Sequence, residues 1–147
     1  MEIRKILVPV DFSDNSKKVL DAAVFLAEKC DAAIYVVFVV QTFEDYSGFF
    51  VPHMPMIQFE EELVKSAEQK MGMFVECGDV AATKVLTGDV AEEIVGFARQ
   101  EKIDMIVMGT HGYKGLEKVM FGSVADKVVR SASCPVLTIN PYRHNIQ

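Results

Sequence analysis

Cysteine, histidine and tryptophan are scarce in this chain of 147 residues, and their scarcity excludes several classes of protein. It has three cysteines, three histidines and no tryptophan. Cys30, Cys77 and Cys134 are odd in number and far apart, without the CxxC or Cys/His spacing of a zinc site. We therefore expect no disulfide framework, but buried or partly buried free thiols in a reducing compartment.

Positive charge is also in short supply, since 15 Lys and Arg residues face 21 Asp and Glu residues and the net charge is −6. Nucleic acids and anionic membranes both attract basic surfaces, so we expect neither as a partner. No apolar run approaches the roughly 18 residues of a spanning helix. The N-terminus leads straight into a strand-like run without the apolar core of a signal peptide, which predicts a cytoplasmic protein.

Apolar residues, in contrast, make up half of the chain, and their order predicts the fold class. The length is typical of one domain, and we find no linker or repeat that would divide residues 1–147. Residues 34–40 are continuously apolar, as in strands of a parallel sheet that is covered on both faces. Strand-like runs alternate with helical patterns, which predicts a doubly wound α/β domain. The five runs are residues 3–10, 33–40, 82–86, 104–108 and 135–139.

Polar residues mark the starts of three predicted helices. Ser13 precedes a helix whose apolar positions share one face. Asp89, followed by Glu92, resembles a capping box. Ser123 is predicted to cap the last helix.

The connection over residues 41–56 is too long for an ordinary α/β unit, in which connections run about 2–6 residues. Its aromatic and methionine residues make it too apolar for a solvated linker. Three interpretations stay open: a lid over a pocket, a contact with a partner subunit, or plain packing. The residues concerned are Phe43, Tyr46, Phe49, Phe50, His53, Met54 and Met56.

A glycine pattern, G-x2-G-x9-G-[ST], follows the fourth predicted strand and consists of Gly109, Gly112, Gly122 and Ser123. Glycine allows the backbone to approach a ligand closely, and successive N–H groups in such a loop bind anions. The Gly122–Ser123 pair opens the last helix, where unpaired N–H groups and the positive end of the helix dipole favour phosphate. The pattern therefore predicts a polyphosphate site, with Lys114 as a nearby cation.

Three other side chains near this pattern have more than one interpretation. His111 lies inside the loop, but no acidic neighbour in sequence would orient it, so contact with ligand or solvent is favoured over catalysis. Asp11 either coordinates Mg²⁺ on the phosphates or, as a lone carboxylate at a strand end more often does, binds a hydroxyl or caps the next helix. Asp126 carries a charge that opposes phosphate, so we expect it to turn aside toward the backbone.

The chain resembles the universal stress protein family, whose ATP-binding members carry the same glycine pattern between their fourth strand and last helix. Residues 5–13 (KILVPVDFS) are similar to the family's opening strand and its Asp-x-Ser, and residues 88–94 (GDVAEEI) to its mid-chain helix start. Residues 133–139 (SCPVLTI) are similar to its closing strand. Phe38 departs from the family, many of whose members have His at that position, but it does not touch the phosphate loop.

The resemblance implies a five-stranded parallel sheet with the strand order 3-2-1-4-5. This order reverses between strands one and four, and ligands bind outside the carboxyl ends of strands at such a switch point. Pro9 and Asp11 would lie beside the nucleoside, and the backbone of Val39 would face the adenine. The implied ligand is ATP, with Mg²⁺, and the implied site is Pro9, Val10, Asp11, Val39, Met108, Gly109, Thr110, His111, Gly112, Tyr113, Lys114, Gly115, Gly122, Ser123, Val124 and Ala125.

Three functions remain open. The leading one is an ATP-binding stress-response switch with slow or no hydrolysis, because nothing resembles the machinery of fast phosphoryl transfer. The second is a nucleotide-using enzyme such as an adenylyl transferase or a slow ATPase; a transferase would need a histidine-rich motif that residues 11–14 lack. The third is a scaffold that dimerises without nucleotide, against which the intact glycines argue.

The fifth predicted strand suggests how two copies would associate. It would lie at a sheet edge, and no Lys or Glu interrupts its apolar run between Pro135 and Pro141. Pairing with the same strand of a second copy would satisfy both edges under two-fold symmetry. Universal stress proteins generally dimerise in this way, so the resemblance implies the same homodimer.

Overall fold

Strands and helices alternate along residues 1–42, 56–76, 79–110 and 122–142, the parts of the chain that the computed structural model describes. The strands are β1 (Lys5–Pro9), β2 (Ala33–Gln41), β3 (Ala82–Gly88), β4 (Met105–Gly109) and β5 (Val136–Ile139). The helices are α1 (Asp14–Cys30), α2 (Met56–Val75), α3 (Val90–Gln100) and α4 (Ser123–Ser131).

The five strands form one parallel sheet in the order β3-β2-β1-β4-β5, as the resemblance implied. Strand β1 is central: Ile6 is in register with Ile34 of β2 on one side and with Met105 of β4 on the other. The strand order therefore reverses between β1 and β4.

Helices cover both faces of the sheet, which explains why its central strands are continuously apolar. Ile6, Leu7 and Val8 of β1 are all fully buried. Leu7 packs on the face covered by α3 and α4, with Ile94 and Val128. Ile6 and Val8 pack on the opposite face; among their partners there are Val19, Ala23 and Met71 of α1 and α2. The prediction of a doubly wound domain is confirmed.

The cysteines differ in exposure, and the prediction is wrong for Cys30. This residue shares the helix face of Ala23 and Ala27, but it is the last residue of α1 and is exposed, because the buried part of that face ends at Ala27. Cys134 is free and half-buried, and burial, followed by the charge of Asp104, raises the pKa of its thiol. Cys77 lies outside the described residues, as do residues 43–55 of the long connection, whose three interpretations stay predictions. No helix in the described ranges is long and apolar enough to span a membrane.

Two of the three predicted caps are present, and the third lies one residue earlier. The Ser13 side chain accepts a hydrogen bond from the Ser16 N–H, and that of Asp89 accepts one from the Glu92 N–H. Helix α4 instead has Gly122 as its N-cap, with Ser123 as the first helical residue and no side-chain cap. A backbone hydrogen bond from the Gly122 N–H to the Thr110 carbonyl holds this N-cap from outside the helix.

Asp89 is expected to stabilise the fold in a pH-dependent way. The Glu92 N–H, and then Lys127 at 3.1 Å, lower its pKa from the ordinary 3.8. A lowered pKa means that the contribution is complete above pH 3.8 and is lost as the pH falls through the lowered value. Asp89→Ala should cost about 1 kcal/mol in the free energy of unfolding at neutral pH, whereas Asp89→Asn keeps the cap and costs less.

Urea unfolding at pH 7 and at pH 3 tests this expectation. The difference in the free energy of unfolding between the wild type and Asp89→Asn should shrink at pH 3, because the side chain at position 89 titrates only in the wild type. Asp21→Ala, which removes an exposed aspartate within α1, is the matched control and should change little. An Asp89→Ala protein as stable as the wild type at pH 7 would contradict the capping role.

Candidate functional site

A cavity of about 350 Å³ lies at the carboxyl ends of β1 and β4, where the strand order reverses. Small-molecule sites typically enclose roughly 300–1,000 Å³ and have mainly apolar walls with a few polar groups. Here the walls come from the ends of these two strands, from the first two turns of α1 and α3, and from the first turn of α4. The cavity occupies the position that parallel α/β folds use for ligands.

The structure brings most of the predicted site residues together. Around the cavity lie Pro9, Val10, Asp11, Met108, Gly109, Thr110, Gly122, Ser123, Val124 and Ala125. Val39 is not among the lining residues: it is buried in β2, on the far side of β1 from β4. His111, Gly112, Tyr113, Lys114 and Gly115 lie outside the described residues.

Five further lining residues were not predicted from the sequence, and all of them lie in α1 or α3. Asn15, Ser16 and Val19 come from α1, and Val90 and Ile94 come from α3. A helix that follows a parallel strand begins at the carboxyl edge of the sheet, so its first turn flanks any ligand bound there. The predicted alternation of strands and helices thus contained a signal for them, although it gave no side-chain direction.

The Asp11 carboxylate is held by the loop that follows it. Its Oδ1 accepts hydrogen bonds from the Ser13 N–H at 3.0 Å, from the Ser13 hydroxyl and from the Ser16 hydroxyl at 2.7 Å. The Asp11 N–H in turn donates to Ser16 Oγ at 2.9 Å. Asp11 thus bonds the hydroxyls at the start of α1, one of its two predicted roles. Within the described ranges, no hydrogen bond reaches its Oδ2.

The start of α4 is tied to the end of β4 by a short backbone contact. The Gly122 N–H donates to the Thr110 carbonyl at 2.7 Å, and the Thr110 N–H donates to the Ile139 carbonyl at 2.9 Å. A Cβ atom on Gly122 would lie 3.1 Å from the Thr110 oxygen, closer than ordinary van der Waals contact. Gly122 has a φ of −65°, so glycine is needed for this close approach and not for its conformational freedom.

The first turn of α4 presents backbone N–H groups beside the cavity. The first N–H groups of a helix have no partner within it, and no side chain of the described residues caps this one. Ser123, Val124 and Ala125 all line the cavity, so the positive end of the helix dipole lies next to it.

Two charged residues of α4, Asp126 and Lys127, form exposed ion pairs. Asp126 Oδ1 accepts from Arg130 Nε at 3.0 Å, so the prediction that Asp126 turns toward the backbone is wrong: a guanidinium one turn further on is available. Lys127 Nζ lies 3.1 Å from Asp89 and 3.8 Å from Glu92, which ties α4 to the start of α3. The described lining residues include neither Lys nor Arg.

A sequence model described as the universal stress protein family matches residues 2–140, which span every strand and helix of the fold. The chain belongs to the universal stress protein family. Universal stress protein MJ0531 of Methanocaldococcus jannaschii is 39% identical over 142 residues, which cover 92% of this chain and 81% of that protein.

Solved structures of the universal stress protein fold show the same architecture. MJ0577 of M. jannaschii superposes with a TM-score of 0.80 at 26% identity, with 99% of each chain covered. A universal stress protein from Archaeoglobus fulgidus, solved in complex with dAMP, superposes with a TM-score of 0.58 at 25% identity. That match covers 95% of this chain and 100% of the other.

In this universal stress protein the candidate site combines three kinds of group. Backbone N–H groups of α4 suit an anion, Val10, Val19 and Ile94 give apolar walls, and Asp11 contributes a carboxylate. No cluster of three or more His, Cys, Asp or Glu side chains that could hold a metal ion occurs among the described residues. The arrangement suits a ligand with one anionic and one apolar part.

Proposed function

We propose that this universal stress protein binds ATP in the cavity and acts as a stress-response switch with slow or no hydrolysis. The observation that carries the proposal is the uncapped start of α4, held against Thr110 beside a cavity at the switch point of the sheet. The dAMP complex of the A. fulgidus relative supports a nucleotide as the ligand.

The ligand's charge decides how it would be oriented. The triphosphate would lie at the α4 N–H groups and at the glycine pattern. The positive end of the α4 dipole favours phosphate, and the pattern predicts a loop whose successive N–H groups bind anions. The nucleoside then lies toward Pro9 and Asp11. Because the described lining residues include no cation, the phosphate charge is balanced by N–H groups, by Lys114 of the glycine pattern and by Mg²⁺.

Asp11 fits a limited role toward Mg²⁺. In phosphate sites this ion is usually held by one or two carboxylates together with phosphate oxygens and water. Asp11 is the carboxylate among the described lining residues, and its Oδ1 is already engaged by Ser13 and Ser16. Oδ2 is therefore the oxygen that would meet the ion or a ribose hydroxyl.

We also propose that the protein is a homodimer that pairs through β5. This strand lies at one edge of the sheet, where its outer backbone groups have no neighbouring strand within the described ranges. Leu137 of β5 and Val129 of α4, which contacts β5, are both exposed apolar residues. A cytoplasmic location and the absence of nucleic-acid partners stay predictions from the sequence.

A thermal-shift titration tests ATP binding. A ligand that binds only the folded state stabilises it by RT ln(1 + [L]/Kd), which is about 2.7 kcal/mol at a hundredfold excess over Kd. We expect ATP with Mg²⁺ to raise the melting temperature by several degrees, and citrate, an unrelated anion, to have little effect. Equal shifts with ATP and citrate would contradict the nucleotide assignment.

The rate of phosphate release from the same samples distinguishes an ATP-binding switch from a nucleotide-using enzyme. Turnover should lie far below the roughly 1–100 s⁻¹ of kinases, because the one described carboxylate of the cavity is already engaged by two serines. A rate in the kinase range that persists through further purification would favour the enzyme.

A further inference from the structure

Phe12 has a backbone conformation that is unusual for a bulky residue. Its φ is 64°, in the left-handed region, where non-glycine residues are uncommon and costly unless their surroundings hold them. Asp31 and Lys102 also have positive φ, but they follow α1 and α3, where left-handed residues commonly end helices. Phe12 instead lies between β1 and α1, next to the cavity residue Asp11.

Two other aromatic rings hold the Phe12 side chain. Its ring stacks on that of Phe38 with centroids 4.5 Å apart and 25° between the planes. It also meets the ring of Phe74 edge-on at 5.8 Å. Phe38 belongs to β2 and Phe74 to α2, and none of the three rings lines the cavity. These two ring contacts therefore hold the loop that contains Phe12 without taking part in the cavity wall.

We propose that Phe12 is a positioning residue for the nucleotide site, because its aromatic stack keeps the loop of residues 11–13 in the shape that orients Asp11. The Ser13 N–H reaches Asp11 Oδ1 at 3.0 Å across Phe12, so the φ of Phe12 determines whether this hydrogen bond forms. The effect on affinity rests on the proposed ATP function, whereas the effect on the loop does not.

Two substitutions at Phe12 separate positioning from plain packing. Phe12→Ala removes the stack and keeps a Cβ atom that disfavours positive φ. Phe12→Gly removes the stack as well, but glycine adopts positive φ without steric cost. Positioning predicts that Phe12→Ala weakens ATP binding about two- to tenfold, the equivalent of one aromatic pair, and that Phe12→Gly binds more tightly than Phe12→Ala. If the Phe12 ring serves only to pack, Phe12→Gly should bind ATP no more tightly than Phe12→Ala.

Two further variants remove the ring of Phe38, on which Phe12 stacks, and the exposed ring of Phe25. Phe38→Ala should weaken ATP binding like Phe12→Ala, and the double variant should lose less than the sum of the two, because both remove the same contact. Phe25→Ala is the matched control: this ring of α1 is 59% exposed and contacts Lys29, so its removal should leave affinity unchanged.

Hydrogen exchange of the Ser13 amide measures, in the absence of nucleotide, whether the loop of residues 11–13 keeps its hydrogen bond. Protection of this amide should fall in Phe12→Ala and recover at least partly in Phe12→Gly. Unchanged protection in Phe12→Ala, or equal loss in both variants, would overturn the proposal even if ATP binds. If the wild type does not bind ATP, the proposed function fails, and exchange alone decides whether Phe12 positions the loop.

Discussion

Gly122→Val is expected to abolish the rise in melting temperature that the proposed ATP binding would produce, while the protein still folds. A Cβ atom at this position would lie 3.1 Å from the Thr110 carbonyl oxygen, and valine adds two methyl groups beyond it. The obstacle is backbone, which cannot move aside as the end of a flexible side chain can. The 2.7 Å hydrogen bond from Gly122 to Thr110 must therefore lengthen, which displaces the first turn of α4 from the cavity.

The fold should survive this substitution, because the dihedral angles of Gly122, φ −65° and ψ 149°, are allowed for valine. Gly96→Val is the matched control: nothing lies within 4 Å of a Cβ added at Gly96, which is exposed on α3. It should retain the full ATP shift. Isothermal calorimetry at a temperature where both variants are folded gives the affinities directly. If Gly122→Val binds ATP as tightly as the wild type, the first turn of α4 is not part of the binding site.

Leu137→Lys is expected to convert the proposed β5 homodimer into a monomer. Leu137 is 38% exposed on β5, an edge strand without an interrupting charge. If β5 pairs with its copy, the two-fold axis brings the two substituted positions close together, where two lysines repel each other and lose hydration. Light scattering should give about twice the 16.4 kDa chain mass for the wild type and about that mass for the variant.

The control for this experiment is Ile57→Lys, which introduces the same charge at an apolar residue of α2 that is 71% exposed. Because α2 packs against β2 and β3, at the other end of the sheet from β5, this variant should remain a dimer. Circular dichroism shows whether either variant has lost its fold. A wild-type protein that is monomeric at the concentrations used for light scattering would exclude the β5 dimer.

Sequence periodicity determined the fold class of this protein because periodicity is local. The continuous apolar run over residues 34–40 predicted a strand covered on both faces, and β2 has helices on both sides. The edge strand β3 is more exposed. Strand order is not local, and it came from the resemblance to the family.

The glycine pattern likewise pointed to the cavity, since Gly109 and Gly122 both line it. What the pattern could not give was the close contact of Gly122 with Thr110, which moved the cap of α4 away from Ser123. Nor could it reveal the walls that α1 and α3 contribute. These features depend on how separate elements pack.

The aromatic stack behind the site shows most clearly what only the tertiary structure decided. Phe12, Phe38 and Phe74 come from a loop, a strand and a helix, and no sequence period links them. Their rings meet because α2 and the loop after β1 pack on the same face of the sheet. Local sequence thus determined which residues form strands and helices, whereas long-range packing decided which side chains surround the cavity and hold its loops.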